Sequence, residues 1–218
     1  MPPPGKEVMM VGARKMLLKP IAVVCFILGV TTNAWATPPE GVQKMTSTQE
    51  LIKQFTEFRL EFARQPGYTG MWESDEEREA VMKALREDRT GDFMSLSGPW
   101  LEECPVDAPI HWVRALRLEG SGDALGAVYH RMMFYGLLMS IIASGDGIAE
   151  TSAYKVISIA EEYNLLDFLG VELKQQSLRG HCDVIKVERD GVIDTVYFDV
   201  SISLDAMNKE FGGGTKKP

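Results

Sequence analysis

The chain has 218 residues, 45% of them hydrophobic, with 23 Lys and Arg against 31 Asp and Glu for a formal net charge of −8. That length suits one domain or two small ones, and the apolar content is ordinary for a globular protein. The acidic balance disfavours nucleic acid and anionic lipid surfaces as partners and is compatible with a protein partner.

At the N-terminus, Arg14, Lys15 and Lys19 precede an apolar run from Pro20 to Thr32, and Ala34-Trp35-Ala36 follows. A basic flank, a short apolar segment and a small-x-small site predict a secretory signal peptide over residues 1–36. Cleavage is expected after Ala36, leaving Thr37 as the mature N-terminus. The run falls short of the ~20 residues that span a bilayer, so no membrane association is expected once the leader is gone. Met9, Met10 and Met16 are alternative starts, and Cys25 lies inside the segment to be removed. A periplasmic or secreted location follows as the expectation.

Residues 37–143 read as a helical region. Ser47-Thr48-Gln49-Glu50 is a capping box, and Leu51, Phe55, Phe58 and Phe62 then recur at helical spacing to form an apolar face. Pro66-Gly67 ends that helix. Ser74-Asp75-Glu76-Glu77 opens a second helix, with Val81, Ala84 and Leu85 inward, which Gly91-Asp92 is expected to break. A third holds Phe93, Leu96, Trp100 and Leu101 and stops at Pro105. Asp107 can cap a fourth, with Pro109 in its first turn. Gly122-Asp123 starts a fifth that runs to about Ala143. Its stretch Met132–Ile142 is apolar nearly all round, as in a central buried helix.

Two of these helix junctions repeat. Ala84–Asp92 and Ala115–Asp123 share five of nine residues at an offset of 31, each expected to turn at its Gly-Asp. The period is close to that of tetratricopeptide hairpins, although the full consensus is absent. Such units bury a shared face and leave a concave surface for a partner.

Residues 144–203 change character. Tyr154–Ile159 reads as a strand and Glu161–Leu169 as a helix stopped by Gly170. Asp183–Arg189, the turn Asp190-Gly191 and Val192–Val200 read as a hairpin. Residues 204–218, ending in Gly212-Gly213-Gly214, are expected to be a flexible tail. The predicted fold class is α+β: an antiparallel helical array with tetratricopeptide-like hairpins, then a small unit of one helix and an antiparallel sheet.

Several segments together carry a resemblance. They are Ala127–Arg131, Gly136–Ile141, Ser144–Gly147, Thr151–Tyr154, Glu161-Glu162-Tyr163, Gln176-Ser177-Leu178, Gly180-His181 and Tyr197-Phe198-Asp199. In order and spacing the chain resembles a secreted bacterial family known as a domain of unknown function. The family's aromatic-Asp pair after Gly-His is replaced here by Cys182-Asp183, which follows at once and shortens the loop. The resemblance implies export and this architecture, and no activity.

Two cysteines, Cys104 and Cys182, remain after leader removal. In an oxidising compartment an isolated pair is expected to join, closing a loop worth ~4.5 kcal/mol by chain entropy. The three histidines, His111, His130 and His181, lack local ligand spacing, so a zinc site would need the fold to bring them together, with Asp146 as a fourth ligand. A hydrogen-bonded structural His130 is the favoured reading. Gly145-Asp146-Gly147 follows a helix end, which suits a tight turn better than a phosphate or calcium loop. Glu161 and Glu162 are adjacent on a helix and point about 100° apart, so one is expected to face solvent and the other the helix N-terminus.

The function these observations favour is binding, by a secreted or periplasmic interaction protein with a protein partner. An inhibitor or immunity protein for a toxin is the particular case. No cofactor is expected. The competing function is a small metal-dependent hydrolase using His130, His181 and Asp146.

Overall fold

A computed structural model describes residues 47–212. The expected leader, the expected cleavage site Ala36/Thr37 and the residues beyond Gly212 lie outside the described residues. Among the described residues, seven helices and a four-stranded mixed sheet make an α+β fold, the helical array first and the small helix–sheet unit after it. The helices are α1 Thr48–Phe62, α2 Glu76–Arg86, α3 Thr90–Glu103, α4 Ala108–Ser121, α5 Ala124–Ile142, α6 Ile159–Leu169 and α7 Ser201–Gly212. The strands are β1 Tyr154–Lys155, β2 Glu172–Arg179, β3 Cys182–Arg189 and β4 Val192–Asp199.

Local chemistry sets several of the helix ends. Ser47 accepts from the Glu50 amide at 3.2 Å to start α1, Asp123 from the Gly126 amide at 2.9 Å to start α5, and Ser158 from the Glu161 amide at 3.2 Å to start α6. Asp75 and Asp107 stand at the N-caps of α2 and α4 but make no capping bond. Asp107 instead accepts from Arg78 at 2.6 Å and from the Trp100 indole at 2.9 Å, so its carboxylate joins three elements rather than closing one.

The two repeated segments turn at different places. In the second copy Gly122 takes φ 87 and Asp123 begins α5, as expected. In the first, α2 ends at Arg86, Asp88 takes φ 51, and Gly91-Asp92 already lie in the first turn of α3. An Asp tolerates the left-handed conformation, so the chain reverses before it reaches its glycine.

The sheet order is β1-β4-β3-β2, with β1 parallel to β4 and the other pairs antiparallel. The hairpin turn is at Asp190-Gly191, both with positive φ, as a type I′ turn requires. The strand expected over Tyr154–Ile159 is only two residues long. Ser158 caps α6 there and draws Ile159 into the helix. Strand β2 is absent from the sequence reading, because its polar segment Glu172–Arg179 shows little alternation and carries a bulge between Leu173 and Gln175. Residues 204–212, expected in a flexible tail, are helical in α7, where Ser203 and Ala206 are buried.

Two apolar clusters share α5. The helical cluster holds Phe93, Trp100, Ile110 and Leu137; the sheet-side cluster holds Leu138, Ile141, Leu165, Ile185 and Phe198. The boundary expected at 143/144 falls at the end of this helix, and the described residues group as one unit. Helix α1 crosses α5 at Gly136, where a Cβ would sit 2.2 Å from the Phe55 ring. Only a glycine permits that approach.

Candidate functional site

The fold brings two of the three histidines together. His111 on α4 is buried, His130 on α5 is half-buried, and their Nδ1 atoms lie 2.7 Å apart. The direction of each hydrogen bond follows from the ends of the chain. Pro105 O can only accept, at 3.1 Å from His111 Nε2, and Arg114 Nε can only donate, at 3.2 Å to His130 Nε2. His130 Nδ1 therefore donates to His111 Nδ1, and both rings are neutral. Arg114 is held in turn by Met94 O at 2.9 Å and Ser97 Oγ at 2.6 Å. A proton added to either ring would place two donors face to face. Burial first, then His111 and Arg114, push His130 down to about 4, and burial likewise lowers His111.

His181 and Asp146 belong elsewhere. His181 lies in the turn between β2 and β3, in a shallow hollow with Glu150, Arg179 and Asp199. Asp146 Oδ1 accepts from the Ile148 amide at 2.9 Å and from Ser152 Oγ at 2.5 Å, and its carboxyl is lowered by those bonds, Ser152 first. That is the tight turn expected of Gly145-Asp146-Gly147. His130 stands on the second turn of α5 and Asp146 beyond its far end, about 18 Å along the axis at 1.5 Å per residue. His130 is thus remote from Asp146, and of the three-histidine metal set His111 and His130 meet while His181 lies in the β2–β3 turn. Among the described residues no group of three or more His, Cys, Asp or Glu is placed to hold a metal ion.

The expected Cys104–Cys182 bridge is not formed. Both cysteines are free and buried, Cys104 at the end of α3 in the helical cluster and Cys182 at the start of β3. Their separate surroundings account for this: Asp107, Arg78 and Asp75 are the charged groups near Cys104, and Glu150, Asp199 and Asp183 those near Cys182.

The adjacent glutamates of α6 depart from expectation, since both are buried. Glu161 forms a two-point pair with Arg59 of α1, Nε to Oε1 at 2.7 Å and Nη2 to Oε2 at 2.5 Å. Arg59 also donates to Ser140 Oγ on α5 at 3.0 Å and to Lys155 O at 3.1 Å, and Glu161 Oε2 accepts from the Ile157 amide at 2.9 Å. One ion pair thereby ties α1, α5, β1 and α6. Arg59 could have been found in the sequence: with Phe55 and Phe62 it falls at i, i+4 and i+7 of the inward face, whereas Phe58 turns out to be exposed.

Glu162 is fully buried and faces the sheet. Neither of its oxygens has a partner in hydrogen-bond geometry, though the Asp183 carboxyl of β3 lies close enough to act on it. Burial first, then Asp183, push Glu162 up to about 9, so it carries a proton at neutral pH. Asp183 Oδ2 accepts from Gln176 Nε2 at 2.5 Å, and Gln176 Oε1 accepts from the Tyr163 hydroxyl at 3.0 Å. Tyr163 and Gln176 are exposed, so the series leads from solvent to the buried carboxyl. A proton-bearing carboxyl beside an acceptor is the arrangement from which general acids are made. Glu162, Tyr163 and Gln176 come from two of the segments that carried the family resemblance.

A further feature is apolar and exposed. On the first half of α5, Leu125, Val128, Tyr129 and Met132 are 85%, 61%, 51% and 38% exposed. They recur at i, i+3, i+4 and i+7 and form one stripe. Leu116 on α4 is exposed as well. Ion pairs of Arg131 with Glu119 and of Arg117 with Asp88 join the helices beside them. Tyr129 packs edge-on to His111 with ring centres 6.3 Å apart, so the histidine pair underlies the stripe.

Residues 42–209 match a protein family described as Domain of unknown function (DUF4919), and the chain belongs to that family. No curated protein and no solved structure matches it.

Proposed function

We propose that the protein is an exported binding protein whose partner is another protein, engaged through the exposed stripe of α5. The observation that carries this reading is the run Leu125, Val128, Tyr129 and Met132, a stripe of large apolar side chains left in solvent on a helix whose other half is core. Apolar residues bordered by charged pairs have the anatomy of an interface centre with a polar rim. The i, i+3, i+4, i+7 spacing suits an amphipathic helix of the partner laid alongside. Export rests on the basic, apolar and Ala-x-Ala parts of residues 1–36. The narrower form of the proposal is an inhibitor or immunity protein for a toxin acting in the same compartment. The hydrolase reading has less support, because His130, His181 and Asp146 have different partners.

The test compares capture from a periplasmic extract by the parent and by the double variant Leu125→Glu, Val128→Glu. Both positions are exposed, so the melting temperature should be unchanged. A protein retained by the parent and lost by the variant is the expected result. Identical capture profiles would overturn the assignment of the surface.

A further inference from the structure

Away from that stripe, a cavity of about 220 Å³ opens where the end of α1, the loop after it, the 3₁₀ turn Trp72–Ser74 and the end of α3 meet. Phe62, Tyr68, Trp72 and Trp100 line it, and so do the carboxylates of Asp75 and Glu103. Three of the rings pack on one another. Phe62 stands edge-on to Tyr68 and to Trp72, both at 5.8 Å and near 80° (81° and 79°), and Tyr68 is tilted 51° to Trp72 at 6.4 Å. Trp72 is 5% exposed and its indole N–H has no partner, whereas the Trp100 indole is tied to Asp107 at 2.9 Å.

The charge around the cavity has one sign. Among the described residues that line it there is no Lys or Arg. The nearby cations are already paired, Arg78 with Asp107 at 2.6 Å and Arg59 with Glu161 at 2.5 Å. Asp75 is the N-cap of α2 but makes no capping bond, so its carboxylate is not used by its own helix. Burial, then Glu77 and Glu103, raise Asp75, and Arg78 opposes them only weakly. Negative charge is therefore gathered at the mouth without a matching cation.

We propose that this cavity binds an alkylammonium group, with Asp75 and Glu103 holding its charge and the four aromatic side chains its methyl or methylene surface. Aromatic faces attract a cation through their quadrupole, and methylated ammonium groups, which are weakly hydrated, gain most from an aromatic lining. A bare carboxylate pair would take any cation, and a bare aromatic pocket any apolar group; the combination selects ions that are both. The group has two sources, a free small amine and an ammonium side chain on a peptide. This inference is independent of the stripe on α5.

The experiment follows the Trp72 and Trp100 indole N–H resonances of the mature protein at constant ionic strength. The probes are tetramethylammonium chloride, Nα-acetyl-Nε-trimethyl-lysine amide, which carries the same head group on a peptide side chain, and the neutral 3,3-dimethyl-1-butanol. Saturable shifts with either cation, and none with the alcohol, are expected. Tighter binding of tetramethylammonium assigns the free amine, and tighter binding of the lysine amide assigns the peptide side chain. Asp75→Asn and Glu103→Gln, both at exposed positions, should each weaken binding roughly threefold to tenfold, the range of exposed ion pairs and cation–π contacts. Leu125→Glu should leave the titration unchanged, which separates this site from the α5 surface. Equal binding of the alcohol, or no saturable shift with either cation, overturns the proposal.

Discussion

The histidine pair between α4 and α5 and the carboxyl seam between α6 and the sheet handle buried polar groups in opposite ways. His111 and His130 are partnered at all four ring nitrogens, by Pro105 O, by each other and by Arg114, and that arrangement holds only while both are neutral. Glu162 is partnered at neither oxygen and stays neutral by keeping a proton. The first cluster lowers basicity and the second raises it, so acid opposes one and alkali the other. Between them runs a third solution, Arg59–Glu161, in which two buried groups of opposite sign face each other and each guanidinium nitrogen has a partner. The lesson is that burial alone does not determine a site's response to pH. The response follows from which protonation state the neighbours can bond.

The largest effect is expected from breaking the charged solution. Arg59→Met leaves Glu161 buried beside only the Ile157 amide, and loss of one partner of a buried pair costs about 3–5 kcal/mol. Urea unfolding at neutral pH measures it. The double variant with Glu161→Gln should recover a good part of the loss, because the orphaned charge is gone. A cost below about 1 kcal/mol for Arg59→Met would show that the pair does not hold α1 to α6.

Next comes the proton on Glu162. Its carboxyl titrates near 4.5 when unfolded and at about 9 in the fold. Between those values the folded state binds more protons than the unfolded one. Its stabilising contribution is therefore full below 4.5 and lost as pH rises toward 9. Glu162→Gln keeps the shape and removes the titration. The variant should match the parent near pH 5 and exceed it by on the order of 4 kcal/mol at pH 8, with a flatter alkaline limb. Parallel pH profiles for parent and variant would mean that Glu162 is ionised in the fold.

Much of the helical half was legible from the sequence, because its ends are written in single residues. Ser47 and Asp123 start helices there, and Gly170 likewise stops α6, whereas Ser158, read inside a strand, proves to be the start of α6. The turn at Asp190-Gly191 was equally plain. What stayed hidden was set by distant partners. Asp107 looked like a cap until Arg78 and Trp100 claimed it. Glu161 and Glu162 looked like a helix-start pair, and only a guanidinium from α1 and a carboxyl from β3 make both of them interior residues. Strand β2 was hidden because, as an edge strand, it has no second neighbour to impose alternation, so its polar sequence reads as loop. The meeting of His111 with His130 is also tertiary. The two lie on consecutive antiparallel helices, 19 residues apart, and no local motif marks them.

The smallest of the three effects, and the mirror of Glu162, belongs to His130. Its imidazole titrates near 6.5 when unfolded and at about 4 in the fold. Over that window the unfolded state binds more protons, so the stability of the neutral pair is full above 6.5 and is lost as pH falls toward 4. The charged groups around it are Arg114, which opposes a second positive charge, and Asp123 and Asp107, which favour one; burial, His111 and Arg114 outweigh them. His130→Ala removes the donor to His111 Nδ1 and the acceptor for Arg114 Nε. The half-exposed site lets water replace part of what is lost, so the cost at pH 7.5 should be about 1–2 kcal/mol. The acid limb of the variant should be shallower than the parent's between pH 6.5 and 4. A variant of equal stability with an unchanged acid limb would show that the histidines are not coupled. A loss at pH 7.5 with an unchanged acid limb would place the coupling in packing against Tyr129 and not in the proton.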